Sequence, residues 1–322
     1  ALMHKTNSPQ GLTPSTSTIA LTGATGFIGK KIRNQLISAG FKVKCLTRTK
    51  STNFHISWEE HLTDLKSTDS ISKAIKGTHA IIYIAGTVRG ESASDFKAAN
   101  VEGVRNITSV LAKTQPTTPI LLISSLAADF PNLSIYANSK AEGEQALIKS
   151  GHSKWSIFRP PAVYGDGDHE LRNIFKLMRL GIITAIAPLE QKLPFIEVTD
   201  LANAAVSWAL NTERCEQKIY AIDDGKKGGY NWREMAKLVS QRRVLFLKIP
   251  ISFLNIISRA NLLFARIFRY KPMLTPGKVR ELSCLKWSCD NSQFTLDTKW
   301  QPKVGLAQGV AKLFELQPEN NT

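Results

Sequence analysis

The chain predicts an α/β fold, a doubly wound parallel sheet followed by a smaller α/β region. Three observations predict it. A short apolar strand, Thr18 to Leu21, runs straight into glycines at 23, 26 and 29. Apolar strands and segments of helical period then alternate as far as residue 165. Most of the polar residues of that half fall where the strands end, which is where an open parallel sheet places its ligand crevice.

The first element is Ile19-Ala-Leu-Thr-Gly-Ala-Thr-Gly-Phe-Ile-Gly29. A strand that turns into a helix over a pyrophosphate needs backbone without Cβ at the turn, at the phosphate approach and at the helix–strand contact. Three glycines then leave free amides at a helix N-terminus, where the dipole favours an anion. The spacing is G-x-x-G-x-x-G. Phe27, Ile28, Ile32, Leu36 and Ile37 recur at helical spacing up to a C-cap at Gly40. The strand–turn–helix frame favours a dinucleotide turn of Rossmann type over a merely flexible glycine loop.

Phe41 to Thr47 alternates as a second strand. A binder of NAD places an acid at the end of this strand for the ribose 2′-hydroxyl. No Asp or Glu occurs between Gly29 and Glu59, while Lys44, Arg48 and Lys50 lie at or near the strand end. A guanidinium there pairs with a 2′-phosphate, so NADP is expected over NAD; the alternative is that Arg48 is a solvated loop charge. His61 to Lys66 gives a short strand with Asp64 at its end, either an acceptor for the adenine amino group or an ordinary turn Asp. Ala80 to Gly86 closes a further strand on the small residues Ala85 and Gly86, against which a flat ligand can pack.

Asn100 to Leu111 has helical period, and Pro119 to Ser125 is a strand ending in two serines. Tyr136 and Lys140 follow, four apart on a predicted helix, so their side chains share a face. A phenol has a pKa of about 10 in water and is a poor proton relay until a neighbouring ammonium stabilises its phenolate. Ser125 can hydrogen-bond the same substrate oxygen; Ser124 is the alternative, because one residue of slip reverses strand facing.

These motifs resemble the short-chain dehydrogenase/reductase superfamily, in its extended or atypical branch of NAD-dependent epimerase/dehydratases and 3β-hydroxysteroid-dehydrogenase-like reductases. The resemblance runs from Thr22–Gly29 through Asp64, Ala85-Gly86, Asn100, Ser125, Tyr136 and Lys140. It continues over Arg159-Pro-Pro-Ala-Val-Tyr-Gly165 and Phe195-Ile-Glu-Val-Thr-Asp-Leu-Ala202. It implies that Tyr136 is the acid/base, that Lys140 lowers its pKa and binds the nicotinamide ribose, and that Ser125 holds the substrate oxygen. Cofactor contacts are then expected at Gly23, Thr25, Gly26, Phe27, Ile28, Gly29, Arg48, Asp64, Leu65, Ala85, Gly86, Lys140, Pro160, Pro161 and Val163. The chain departs from the pattern twice. Ser125 and Tyr136 are only eleven positions apart, and Thr184 to Phe195 carries no arginine for a nucleotide-sugar diphosphate.

The 322 residues suit one large domain with an appendage: 17–165 plus 195–223 as the dinucleotide-binding domain, 166–194 plus 224–322 as the substrate cap. Residues 1–16, rich in Ser, Thr and Pro, are expected to be disordered or left over from cloning. Val198-Thr199-Asp200 reads as an N-cap, and Trp287, Trp300 and the helix Leu306 to Leu316 as packing of the appendage. Four cysteines without metal-ligand spacing fit a reducing, cytoplasmic setting and no metal site. A net charge of +16 implies an anionic partner, with nucleic acid ranked last. Residues 242–280 carry nine Lys or Arg and no Asp or Glu around an apolar run, Ile251 to Phe268. They read as a packed cap helix, or as a basic amphipathic helix on an anionic membrane.

The expected function is hydride transfer between a nicotinamide cofactor and a secondary alcohol or ketone, lipid-like or a nucleotide sugar, by a monomer or homodimer. The alternatives are a nucleotide-sugar epimerase or dehydratase, and a non-catalytic NADPH-binding scaffold.

Overall fold

The computed structural model describes residues 11–49, 57–88, 92–186, 188–240, 242–268, 270, 272 and 274–315. The strands are β1 (Thr18–Thr22), β2 (Lys42–Thr47), β3 (Glu59–Leu62), β4 (Ala80–Tyr83), β5 (Ile120–Ile123), β6 (Trp155–Phe158), β7 (Ala162–Tyr164), β8 (Ile182–Ala185), β9 (Phe195–Glu197), β10 (Lys218–Tyr220) and β11 (Leu245–Lys248). The helices are α1 (Phe27–Ser38), α2 (Thr68–Ile75), α3 (Ala93–Lys97), α4 (Gly103–Thr114), α5 (Ile135–Ile148), α6 (Glu170–Arg179), α7 (Val198–Ala209), α8 (Trp232–Val239), α9 (Ile251–Phe268), α10 (Pro276–Ser283), α11 (Ser292–Thr298) and α12 (Leu306–Glu315). A five-residue π-helical stretch, Ala98–Glu102, joins α3 to α4.

Seven strands form the parallel sheet in the order β10-β6-β5-β4-β1-β2-β3. The chain winds outward from β1 through β2 to β3, then returns to lay β4 on the other side of β1. The strand order therefore reverses between β1 and β4, which sets the crevice above their carboxyl ends. Residues of β1 alternate between two buried clusters. Ile19 and Leu21 pack with Ile32 and Leu36 of α1 and Leu201 and Trp208 of α7. Ala20 packs on the opposite face with Ile71, Val104, Ile107 and Leu147 of α2, α4 and α5. Burial on both faces is why these strands read as apolar runs rather than as alternating ones.

A third cluster belongs to the appendage: Phe175, Met178, Trp232, Met235, Leu306 and Val310 surround Tyr164 and Phe195 from the pair β7–β9. A second small parallel pair, β8–β11, lies beside it.

Three expectations change. Residues 11–16 are ordered: the Leu12 amide donates to Ala209 O at 2.9 Å and its side chain packs on the main core, while residues 1–10 lie outside the described residues. The cap of α7 is Glu197, whose carboxylate accepts from the Thr199 amide at 2.7 Å. Asp200 instead accepts from the Lys303 and Val304 amides, both at 2.8 Å, and ties the C-terminal run to the main domain. Trp300 packs with Phe294 into the main core rather than into the appendage, because α11 is held to β10 by Asp297, which accepts from Lys218 and Tyr220.

Candidate active site

The glycine turn has the geometry its spacing implies. Gly23 takes φ 68°, and the Gly26 amide donates back to Gly23 O at 3.0 Å. A Cβ on Gly29 would stand 2.0 Å from Gly23 O, and one on Gly23 would stand 3.0 Å from the Ala85 amide nitrogen. Thr22 Oγ1 accepts from the Ile84 and Ala85 amides at 2.9 and 3.0 Å and so pins the end of β1 to the end of β4. Gly26 is the N-cap of α1, with extended backbone and no side-chain cap. Exposed Thr25 and Gly26 and half-buried Phe27 and Ile28 therefore present an open helix N-terminus.

Where β2 ends, Thr47 is buried with its hydroxyl unpartnered and Arg48 is exposed. Lys44 is turned aside, its Nζ donating to Lys76 O at 3.3 Å, and Lys50 lies outside the described residues. A further cation, missed in the sequence, approaches from α1: the Arg33 guanidinium lies 3.8 Å from the centre of the Trp58 ring. Only its position one turn beyond Gly29 signalled it. Asp64 forms an exposed turn in which its Oδ1 accepts from the Lys66 amide at 2.9 Å. The Leu65 carbonyl accepts from Asn106 Nδ2 at 2.9 Å.

The candidate catalytic residues lie near the ends of β4 and β5. A Cβ on Gly86 would stand 2.6 Å from Asn100 Oδ1 and 3.3 Å from Lys140 Nζ. Asn100, buried on the π-helical stretch, donates to Ser139 Oγ at 2.9 Å and accepts from the Thr87 amide at 3.1 Å. Ser125 faces the same space as Tyr136, while Ser124 turns its hydroxyl into the protein, buried and unpartnered. Pro160 O accepts from the Leu126 amide at 2.9 Å, which places half-buried Pro161 and Val163 beside the β5 end.

The Tyr136–Lys140 electrostatics differ from the expectation. Burial pushes the Tyr136 phenol up to about 12, a hydrogen bond with Ser125 opposes this, and the Glu281 and Glu170 charges add to the rise. Burial likewise lowers the Lys140 ammonium to about 8, with Glu144 opposing. Lys140 Nζ donates to Ile123 O at 3.4 Å. Desolvation outweighs attraction in this arrangement, so the phenol is not acidified here.

Above Ser125 and Tyr136 opens a cavity of about 530 Å³. Its walls come from Leu126 and Pro161 on the main-domain side and from α6, β8, α8, α9 and α10 beyond, including Ile174, Phe175, Met178, Ile186, Trp232 and Met235. Two cations are among its described lining residues. Lys278 pairs with Glu281 at 3.1 Å, and Arg280 Nε donates to Leu133 O at 2.7 Å. The crevice at the ends of β1, β4 and β5 thus adjoins a pocket of largely hydrocarbon lining. The glycine turn of Gly23 and Gly29, the close approach at Gly86, the uncapped start of α1 and the orphaned Thr47 hydroxyl at the end of β2 fit a dinucleotide.

The sequence model of the NAD dependent epimerase/dehydratase family matches residues 19–222. Ceramide reductase of Caulobacter vibrioides is 27% identical, over 94% of this chain and 92% of its own length. The decarboxylating sterol-4-alpha-carboxylate 3-dehydrogenase of Dictyostelium discoideum is 28% identical, over 92% and 99%. The UDP-glucuronic acid 4-epimerase of Bacillus cereus, solved with UDP-glucuronic acid and NAD, superposes with a TM-score of 0.68 at 16% identity, over 92% of this chain and 98% of that one.

Proposed function

Since the chain belongs to the NAD dependent epimerase/dehydratase family and is an enzyme working with a nicotinamide cofactor, we propose that it interconverts a ketone and a secondary alcohol on a lipid-like substrate, with NADP(H) preferred. The observation that carries this reading is the cavity over Ser125 and Tyr136, whose described walls are mostly apolar and suit a hydrocarbon chain, with its described cations Lys278 and Arg280 engaged by Glu281 and Leu133 O. Two relatives named for a ceramide and a sterol support it.

The bound cofactor supplies or accepts the hydride. Tyr136, kept protonated at neutral pH by its surroundings, gives its proton to the substrate oxygen during reduction and recovers it during oxidation. Ser125 hydrogen-bonds the same oxygen and fixes it near the phenol. Lys140 would hold the nicotinamide ribose and place a positive charge near the phenolate that forms. Gly23, Thr25, Gly26, Phe27, Ile28 and Gly29 would bind the pyrophosphate, and Ala85, Gly86, Pro160, Pro161 and Val163 would flank the nicotinamide side. Arg48 would meet the 2′-phosphate, with Asp64 and Leu65 toward the adenine. The hydrocarbon walls keep water from the reacting carbonyl.

The test uses the full chain, NADPH and a series of methyl ketones. Each added methylene is expected to raise kcat/KM about fourfold while it still finds wall, the equivalent of ~0.8 kcal/mol. Tyr136→Phe is expected to lower kcat by about a hundredfold or more with cofactor affinity nearly unchanged. Turnover of a nucleotide sugar without net cofactor consumption, and none of any ketone, would overturn the reading.

A further inference from the structure

Helix α9 carries its apolar side outward. The residues it buries are few and small for a packing face: Leu254, Ser258 and Ala265. Its outer side carries Phe253, Ile256 and Ile257, and beyond Ala260 Leu263, Phe264, Ile267 and Phe268; these positions repeat close to every seven residues and so gather into one stripe along the helix. Ile256 is 67% exposed and Phe268 70%, and Phe264 stacks on Phe268 with ring centres 6.2 Å apart. A helix that meets water is polar on that side, and a contiguous apolar strip of this length marks an interface.

The charge of the segment that carries the stripe argues for what covers it. Arg242, Arg243 and Lys248 on and before β11, and Arg259 on α9, are exposed, and Leu245 and Leu247 stand exposed between the first three. The whole of 242–280 contains nine cations and no acid. A second copy seated on this face would oppose cations to cations, whereas an anionic surface neutralises them. Among the described residues no helix is long and apolar enough to cross a membrane, so the stripe has the dimensions of an interfacial element rather than a span. Leu262 of the same helix lines the cavity, which makes α9 both outer surface and inner wall.

We propose that α9 and the 242–248 ribbon dock on an anionic lipid membrane, the apolar stripe sunk to the acyl boundary and the cations among the headgroups. The cavity wall then lies at the bilayer. Docking is read without turnover, so its failure and the failure of the redox reading are separate results.

The experiment floats the full chain with vesicles of phosphatidylcholine, with and without phosphatidylglycerol, at low and high salt. Binding is expected only with phosphatidylglycerol and is expected to weaken as salt screens the headgroup contacts. Ile256→Ser combined with Phe264→Ser, both at exposed positions, is expected to reduce that binding by about tenfold or more, since each loses apolar area that would enter the boundary. Its melting temperature and its rate on a water-soluble ketone should match the wild type. No binding to either vesicle at low salt would overturn the proposal. So would a concentration-dependent dimer, seen by light scattering, that the same two substitutions abolish.

Discussion

Lys140 sits where burial works against its own charge. Its ammonium is lowered to about 8, so it is charged below that pH and neutral above it. If its charge supports the phenolate, kcat/KM for ketone reduction should fall as pH rises through about 8, while the Tyr136 proton, held to about 12, stays available. Lys140→Arg keeps its charge throughout this range and should move the falling limb to higher pH. A limb unmoved in that variant would assign it to another group. That Tyr136 and Lys140 share one helix, four residues apart, was legible in the sequence. The direction of the phenol's shift was not, because it depends on Glu281 and Glu170, which come from distant segments, and on desolvation, which spacing does not encode. Ser125 over Ser124 was left open by the sequence, and the two differ in the structure by which side of the strand end each hydroxyl takes.

At the scale of elements, the β1–turn–α1 unit tolerates least. Gly29 is the first turn of α1 laid directly on the Gly23 carbonyl, and Gly29→Ala forces a methyl to within 2.0 Å of that oxygen. The unit must part, at a cost of about 1–3 kcal/mol or more, and the phosphate cradle opens with it. Gly305→Ala meets nothing within 4 Å and should be neutral within about 0.5 kcal/mol. Urea unfolding of both variants checks the contrast; equal stabilities would show that the turn adapts. This unit was readable from sequence because all its determinants are local. The cap of α7 was placed one turn late, since both Glu197 and Asp200 precede an apolar run and only tertiary contacts assign Asp200 to Lys303 and Val304. For α9, periodicity gave the two faces but not which of them the protein would cover.

Across the whole molecule, the parallel doubly wound sheet followed from the alternation of strand and helix, whereas its seven-strand order and the packing of the last hundred residues did not. Trp300 and Phe294 join the main core through the Asp297–Lys218–Tyr220 contacts, about eighty residues apart in sequence, a separation no local pattern carries. Cofactor choice also reads out on the whole fold. A ligand that binds only the native state raises its stability by RT ln(1 + [L]/Kd), so NADPH should raise the melting temperature more than NADH at equal concentration, and Arg48→Ala should shrink the difference. A larger rise with NADH would overturn the NADP(H) preference and the Arg48 assignment. One junction bears on how the molecule is made. Helix α10 sets Gly277 so close to Ser134 that a Cβ would stand 2.7 Å from the serine Cβ, and Glu281 accepts from the Ser134 hydroxyl that caps α5. The start of the helix bearing Tyr136 thus waits for a segment 147 residues downstream. During synthesis the phosphate cradle can form early, but the cavity wall is complete only after α10 has emerged.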